Sequence, residues 1–433
     1  MDLLLEPIPA TVAASSFWRS PSAWLRQRNL SRSFWIFFAA AFFFDAGFSV
    51  YFFLFNLYLL DFHFNERAIG LIGGAMTLGS VVGTLPAGMF AHKYGIGPLL
   101  VLCFLLAPFL NALRVLLMWQ TAQIGLAFLS GLAMSSWGVC FLPAVARSTT
   151  EKNRPSAFSL IFSVSIGTSA LGGVVCGYLP QWLKRIGLPM QAFEVKRLIL
   201  LGSCGVAILG LIFVLRLPLP RQLDQSTTSQ TGSFHRGWLS RLRVHPFLLT
   251  FLPAMALWSG VIAAFSPFAN VYLSRDLHIP MSRIGLIFST TQVVQLCLGL
   301  LTPFVFRKLG LVKGIIATQI ATALALASLS IAVDARVAVA LYLGFSAAQW
   351  MSSPGLYNLL MNRTPDSGRS NAAAMTLFCN ALAASAATAG AGILFTRFGY
   401  PRVLQAIAAL ALVVAAMFWI LIGSRNDEVQ VQT

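Results

Sequence analysis

The chain has 433 residues, 57% of them hydrophobic and 10% charged, with a formal net charge of +17. Soluble domains carry about 25% charged residues, so this composition points to lipid as the main solvent and excludes an ordinary water-soluble fold. The Lys and Arg residues lie mostly in short segments between apolar runs and form no continuous basic face. The charge therefore reads as topogenic and lipid-facing, with no nucleic-acid partner.

Apolar runs long enough to cross a ~30 Å hydrocarbon core give an all-α membrane protein of twelve spans. Residues 1–33 form an N-terminal stretch that includes Trp24-Leu25-Arg26-Gln27-Arg28, an interfacial anchor with Trp at headgroup depth. The first run, near 34–60, is too long for a signal-peptide core, lacks an A-x-A site and contains Asp45. It reads as a span that stays. Runs near 68–91, 97–118, 122–146, 155–180 and 197–216 complete a first half, residues 34–216. Leu217 to His245 is rich in Ser, Thr, Gln and Arg, cannot bury a core and reads as a linker. It carries a second basic segment, Trp238-Leu239-Ser240-Arg241-Leu242-Arg243. The second half, 246–423, has runs near 246–273, 283–306, 312–333, 337–361, 370–396 and 401–423, and residues 424–433 form a tail. An even number of spans puts both termini on one side. The excess of Lys and Arg there predicts that termini, linker and tail are cytoplasmic. The six cysteines (Cys103, Cys140, Cys176, Cys204, Cys297, Cys379) all fall within apolar runs without a CxxC pair, so neither disulfides nor a metal site is expected.

The chain repeats itself. Asn56-Leu57-Tyr58-Leu59 recurs as Asn270-Val271-Tyr272-Leu273, 214 residues later. Ile69-Gly70-Leu71-Ile72 recurs as Ile284-Gly285-Leu286-Ile287, Lys93-Tyr94-Gly95 as Lys308-Leu309-Gly310, and Arg154 as Arg369, all 215 residues later. Arg147 and Arg363 are 216 apart. A near-constant offset over so long a stretch marks a duplication. Six spans per repeat give the two halves the same orientation, related by an axis along the membrane normal.

A 6+6 parallel repeat with a polar central linker resembles the major facilitator superfamily. The family's loop motif between its second and third helices, G-x-L-A-D-R-x-G-R-R, stands here as Gly88-Met89-Phe90-Ala91-His92-Lys93-Tyr94-Gly95-Ile96-Gly97. Its glycines and Lys93 fit, whereas His92 replaces the acid and Ile96-Gly97 the basic pair. The family's drug-antiporter signatures are poorly matched: Ala127 stands where their arginine aligns, and the fifth span has Gly167, Gly172, Gly173 and Gly177 without the usual Gly-Pro. The resemblance implies the twelve-helix fold, transport by alternating access, and a gating role for Gly88, His92, Lys93 and Gly95.

Asp45 is the one acid deep within a predicted span, roughly 18 Å along its helix. An ionised carboxylate there costs about 2.5–3.5 kcal/mol on insertion scales, so its presence points to proton or cation coupling, or to pairing with substrate. The alternative is a protonated acid that merely packs against a neighbouring helix. Asp45, Ser49, Phe52 and Asn56 share one helix face, and at the 214 offset the same stripe is Ser259, Ala263, Ser266 and Asn270. Both stripes are expected to face a central cavity, with ordinary interhelical hydrogen bonds as the rival role for the serines and asparagines. Trp137, Trp258, Gln292, Gln295, Gln349, Trp350, Ser353, Asn358 and Asn380 are further cavity candidates, or else packing residues. Arg114 is expected to snorkel to the outer headgroups, with substrate binding as the alternative. The cytoplasmic arginines Arg147, Arg154, Arg363 and Arg369 are read either as ligands of helix C-termini that stabilise one gate state or as topogenic charge.

No G-x4-G-K-[ST], HExxH or G-x-S-x-G sequence occurs, and the histidines sit at span edges or in loops, so neither an ATP-driven pump nor an enzyme is expected. The reading is a monomeric secondary active transporter, without cofactor, in a bacterial inner membrane. It would move a small organic solute inward or outward, with proton coupling through Asp45. A transport-inactive receptor or scaffold, and a uniporter without proton coupling, are the alternatives.

Overall fold

A computed structural model describes residues 30–150, 153–185, 192–217, 246–364 and 369–423. The N-terminal anchor around Trp24, the linker from 218 to 245 with its Trp238 segment, and the tail 424–433 lie outside the described residues.

The first half consists of α1 (Arg32–Asp61), α2 (Glu66–Tyr94), α3 (Ile96–Leu116), α4 (Gln120–Arg147), α5 (Arg154–Arg185) and α6 (Ala192–Leu215). The second begins with α7 (Pro246–Phe265), a 3-10 turn (Ser266–Phe268) and α8 (Ala269–Arg275). It continues with α9 (Met281–Leu309), α10 (Leu311–Ile331), α11 (Ala335–Arg363) and α12 (Arg369–Met417), the last running into a π turn (Phe418–Gly423). No strand occurs among the described residues. Among the described residues ten helical stretches are long and apolar enough to cross a membrane, α7 and α8 counting as one. α12 also counts once, but its 49 residues would extend about 74 Å if straight, and it turns at Gly399 into two arms. The second arm and the more polar α11 bring the total to the twelve spans read from the sequence.

The repeat is visible in element lengths. α2 and α9 each have 29 residues and start 215 apart; α3 and α10 each have 21 and also start 215 apart. Gly95 (φ 84), Gly310 (φ 83) and Gly399 (φ 75) each join two helices with no intervening loop. Positive φ with extended ψ is a region that only glycine enters freely. Polar caps fix the starts of α1, α2 and α11, where Ser31, Asn65 and Asp334 accept from backbone N–H groups.

The seventh span, expected as one helix, is broken at Pro267. Proline cannot donate to Ala263 O, and the Thr388 hydroxyl donates to that carbonyl instead, at 3.0 Å. In lipid such a substitute partner is what makes the break tolerable. Within each half the helices pack equivalently: α1 against α5 and α6, α2 against α4, and in the second half α7 against α12 and α9 against α11. Glycines permit close crossings, as where Gly79 and Gly131 bring the backbones of α2 and α4 together.

Candidate functional site

The halves meet where α1 turns into α2, the end of the bundle away from Leu30. Asn56 Nδ2 donates to Pro267 O at 2.8 Å, and Asn270 Nδ2 donates to Phe53 O at 2.9 Å. At the 214 offset Asn56 corresponds to Asn270 and Phe53 to Pro267, so this is one clasp made twice. The flanking contacts obey the same symmetry. Gly70 lies against Thr388 and Gly392, while Gly285 lies against Gly173 and Gly177. Ser385 Oγ donates to Gly74 O, and at the matching place Ser289 Oγ donates to Ala170 O.

One bond departs from the symmetry. Arg275 Nη1 donates to both oxygens of the Glu66 carboxylate, at 2.9 and 3.1 Å, and Glu66 is buried. The repeat partner of Arg275 is Asp61, which instead pairs with Lys196 inside its own half at 2.8 Å. Asp276 lies beside the inter-half pair. Burial, then the nearby Glu66 charge, push its carboxyl above the ordinary carboxylate range, against the opposing pull of Arg275 and His278. The hydrogen bonds found between described residues of the two halves sit toward this end. The sealed end is therefore the one opposite Leu30.

Asp45 sits mid-helix in α1, roughly 20 Å from its start. With Trp137 and Phe141 of α4 and Ile161, Phe162 and Ser165 of α5 it lines a cleft of about 160 Å³. The Ser165 hydroxyl stands in the same lining. No Lys, Arg or His among the described residues lines this cleft. The rings form a continuous wall, with centroids 5.3 Å apart for Trp137 and Phe141 and 6.1 Å for Phe141 and Phe162. Phe37, Phe44 and Phe104 back the Trp137 ring at 5.9, 5.0 and 5.6 Å. Such packing fixes the indole against the cleft rather than leaving it free to rotate.

The second half carries no charge at the equivalent positions. Ser259 Oγ donates to Asn380 O at 3.1 Å, and Asn380 lies 215 residues after Ser165. The aromatic group changes helix: Phe44 and Trp137 of the first half correspond to Trp258 and Ser352, and Trp258 Nε1 donates to Ser352 Oγ at 3.1 Å. Ser266 Oγ, Gln349 Oε1 and Asn380 Oδ1 are buried with no hydrogen-bond partner, and none of the three residues lines the Asp45 cleft. Gln295 Nε2 donates to Ser346 Oγ.

The remaining candidates are dispersed. Ser49 Oγ donates to Ala46 O and Thr168 O, tying α1 to α5. Asn56 and Asn270 belong to the clasp. Trp350 is half exposed beside Gly299 of α9, Gln292 and Ser353 are half-buried, and Asn358 is exposed. At the open end His92 and Lys93 are exposed, Lys93 Nζ lies 5.0 Å from the Tyr94 ring centre, and a Cβ on Gly88 would meet nothing. Arg369 Nε donates to Met361 O and Thr364 O at the C-terminus of α11, the helix-end bonding read as one option from the sequence. Arg147 Nη1 and Arg154 Nε are buried without a partner, and Arg363 is half-buried.

Arg114 does not snorkel. It is 2% exposed, with its guanidinium 4.3 Å from the Phe55 ring centre and Nη1 donating to Asn111 Oδ1 at 3.0 Å. Nε reaches Gln123 Oε1, and Asn111 Nδ2 donates to Ser130 Oγ. Amide and ring partners inside the half replace the headgroup contact expected from its place near a helix end. Sequence reasoning also missed Ser165, Phe141, Phe162, Glu66 and Arg275. The repeat offered a route to Ser165, since it is the partner position of Asn380. Nothing in the sequence marked Glu66 or Arg275, which sit at span ends where charges are ordinary.

Two six-helix halves clasped at one end, built from long apolar helices, define the class of the protein: a multi-pass membrane transporter. Residues 37–388 match the sequence model of the Major Facilitator Superfamily, and the chain belongs to that family. Its fold matches the nucleoside transporter NupG in a D323A mutant structure, with TM-score 0.72 and 14% identity over 90% of this chain and 100% of that one. It also matches a bacterial homologue of the human lysosomal transporter Spinster, inward-facing and unoccupied, with TM-score 0.72 and 13% identity over 89% and 96%. A D-xylose–proton symporter matches with TM-score 0.68 and 15% identity over 89% and 95%. No curated protein matches the sequence. The family and these neighbours are transporters, not enzymes.

Proposed function

We propose that the chain is a proton-coupled secondary transporter of a small organic solute in a bacterial inner membrane, with Asp45 as the coupling group. It works as a monomer by alternating access, with both termini cytoplasmic and the sealed end outward. The observation that carries this reading is Asp45 itself, the one carboxylate in a cleft that no basic side chain lines. An ionised carboxylate at this depth costs about 2.5–3.5 kcal/mol, which a proton or a bound cation removes. The empty, ionised carrier is thereby penalised when the cleft closes over it, and the neutralised carrier reorients. Ser165, in the same lining, supplies a hydroxyl that can donate to the ionised carboxyl and accept from the protonated one. A protein titled a D-xylose–proton symporter shares this fold, which is in keeping with the reading.

The direction follows the gradients, so uptake and efflux use the same cycle. The test is transport in proteoliposomes, with solutes first selected from a diverse panel by thermal shift. In Asp45→Asn, accumulation driven by a pH gradient should vanish, while counterflow of the same labelled solute persists once its concentration is raised to saturate the variant. Wild-type-like accumulation in that variant would falsify the coupling role. Absence of counterflow in the wild type for every solute that binds would favour a receptor.

A further inference from the structure

The cleft around Asp45 also carries information about the class of solute, given the reading of Asp45 as the coupling carboxylate, on which this inference rests. Its lining is one carboxyl group, one hydroxyl, one aliphatic side chain and three aromatic rings: Asp45, Ser165, Ile161, Trp137, Phe141 and Phe162. A sugar or nucleoside presents several hydroxyl or amide groups, each of which loses water on entry and needs a partner. One carboxyl, one hydroxyl and the single indole N–H of Trp137 fall short of that need. A metal ion needs several oxygen or nitrogen ligands converging on one point, and no such group of side chains exists among the described residues. An anion would meet Asp45 with no basic residue in the lining to offset it.

An organic cation meets none of these objections. Aromatic rings attract a cation through their negative faces, and Trp is the strongest of the three ring types in this respect. The carboxylate supplies the opposite charge, and burial in a low-dielectric cleft strengthens both effects. The volume of about 160 Å³ is comparable to the ~150 Å³ cavity that accommodates benzene, so an ammonium head with a small apolar body fits. The partial opening of the wall at Phe162, which is 53% exposed, leaves room for a longer tail. The second half adds to this, because Ser259 and Asn380 occupy the positions equivalent to Asp45 and Ser165 and bring no competing charge.

We infer that the solute is an organic cation, an amine or quaternary ammonium compound with an apolar body, whose positive group occupies the ring-walled cleft against Asp45. Proton and solute then compete for one carboxylate, which makes the exchange an antiport at a single site.

The test is equilibrium binding to the full-length protein in nanodiscs, with phenyltrimethylammonium and its neutral isostere tert-butylbenzene as probes. The two have nearly the same shape and differ in charge. The expected result is saturable binding of the cation, at least tenfold tighter than the neutral probe. Asp45→Asn should weaken cation binding tenfold or more and leave the neutral probe unchanged, and Asp45→Glu should restore part of the preference. Trp137→Leu, which keeps the carboxylate, should weaken the cation several-fold, so the result does not hang on one variant's folding. Equal affinity for the two probes, no binding of the cation, or full cation binding by Asp45→Asn would each overturn the inference. Proton coupling is read separately, as Asp45-dependent accumulation in the proteoliposome assay. A chain that keeps that accumulation for a neutral solute and ignores the cation retains its coupling site and loses the cation class.

Discussion

Removing the charge of Glu66 should loosen the sealed end by an amount that its surroundings bound. The Glu66 side chain is 7% exposed and the Arg275 side chain 57%, so the pair lies between the buried and the solvated cases. Solvated pairs contribute about 0.2–1 kcal/mol, and deleting one member of a buried pair costs about 3–5 kcal/mol. With the guanidinium largely in water, screening places the loss near the lower range, at about 1–2 kcal/mol. That is roughly a 5–30-fold shift in the ratio of sealed to unsealed carriers. Glu66→Gln keeps the shape of the side chain and one acceptor oxygen, which isolates the charge. Spin labels at Trp119→Cys and Val333→Cys, both strongly exposed at the sealed end and one in each half, report the separation by pulsed dipolar spectroscopy. The background for these labels replaces the native cysteines. Glu66→Gln should move population from the short distance to a longer one, and adding Arg275→Gln should change little further, because the two share one interaction. An unchanged distance distribution in Glu66→Gln would refute the assignment of this pair as a latch.

Two more expectations come from the same end. A Cβ at Gly285 would collide with the backbone of Gly173 and Gly177, so Gly285→Val should hold the halves apart and show mainly the long Trp119–Val333 distance; a mainly short distance would show that the crossing tolerates bulk. Asp276 should make the seal pH-dependent. Its carboxyl is held above the ordinary value of about 3.9, so the sealed state keeps this proton to higher pH than the unsealed or unfolded chain does. Stability of the seal therefore rises as pH falls through the window just above that ordinary value, and Asp276→Asn should flatten the dependence in the same distance measurement.

The architecture was legible because lipid imposes simple demands. Spans must be long, apolar and helical, and duplication leaves a constant offset, so the boundaries of α2, α3, α9 and α10 follow closely from the runs. The break at Pro267 was less legible, since its tolerance depends on Thr388, far away in the chain. The site was legible only in part. Asp45 stood out as a charge where charge is expensive, whereas Phe141 and Phe162 are apolar residues in apolar spans and gain meaning only from proximity to Asp45. Asn56 and Asn270 show the limit of helical-face arguments. They share a stripe with Asp45 and Ser259, but about 16 Å further along the helix the same face meets the other half of the protein. Arg114 shows the converse, because a position near a helix end says nothing of the amide groups waiting inside.

Transport by alternating access requires the two ends of the bundle to open in turn. Distances measured at both ends of one protein test this most directly, with labels at Trp119→Cys and Val333→Cys for the sealed end and Tyr94→Cys and Leu309→Cys for the other. On adding a solute that counterflow identifies, the first distance should lengthen as the second shortens, in matching proportions of the population. If both pairs stay fixed while solute crosses the membrane, or if both lengthen together, alternating access about the Asp45 cleft is contradicted.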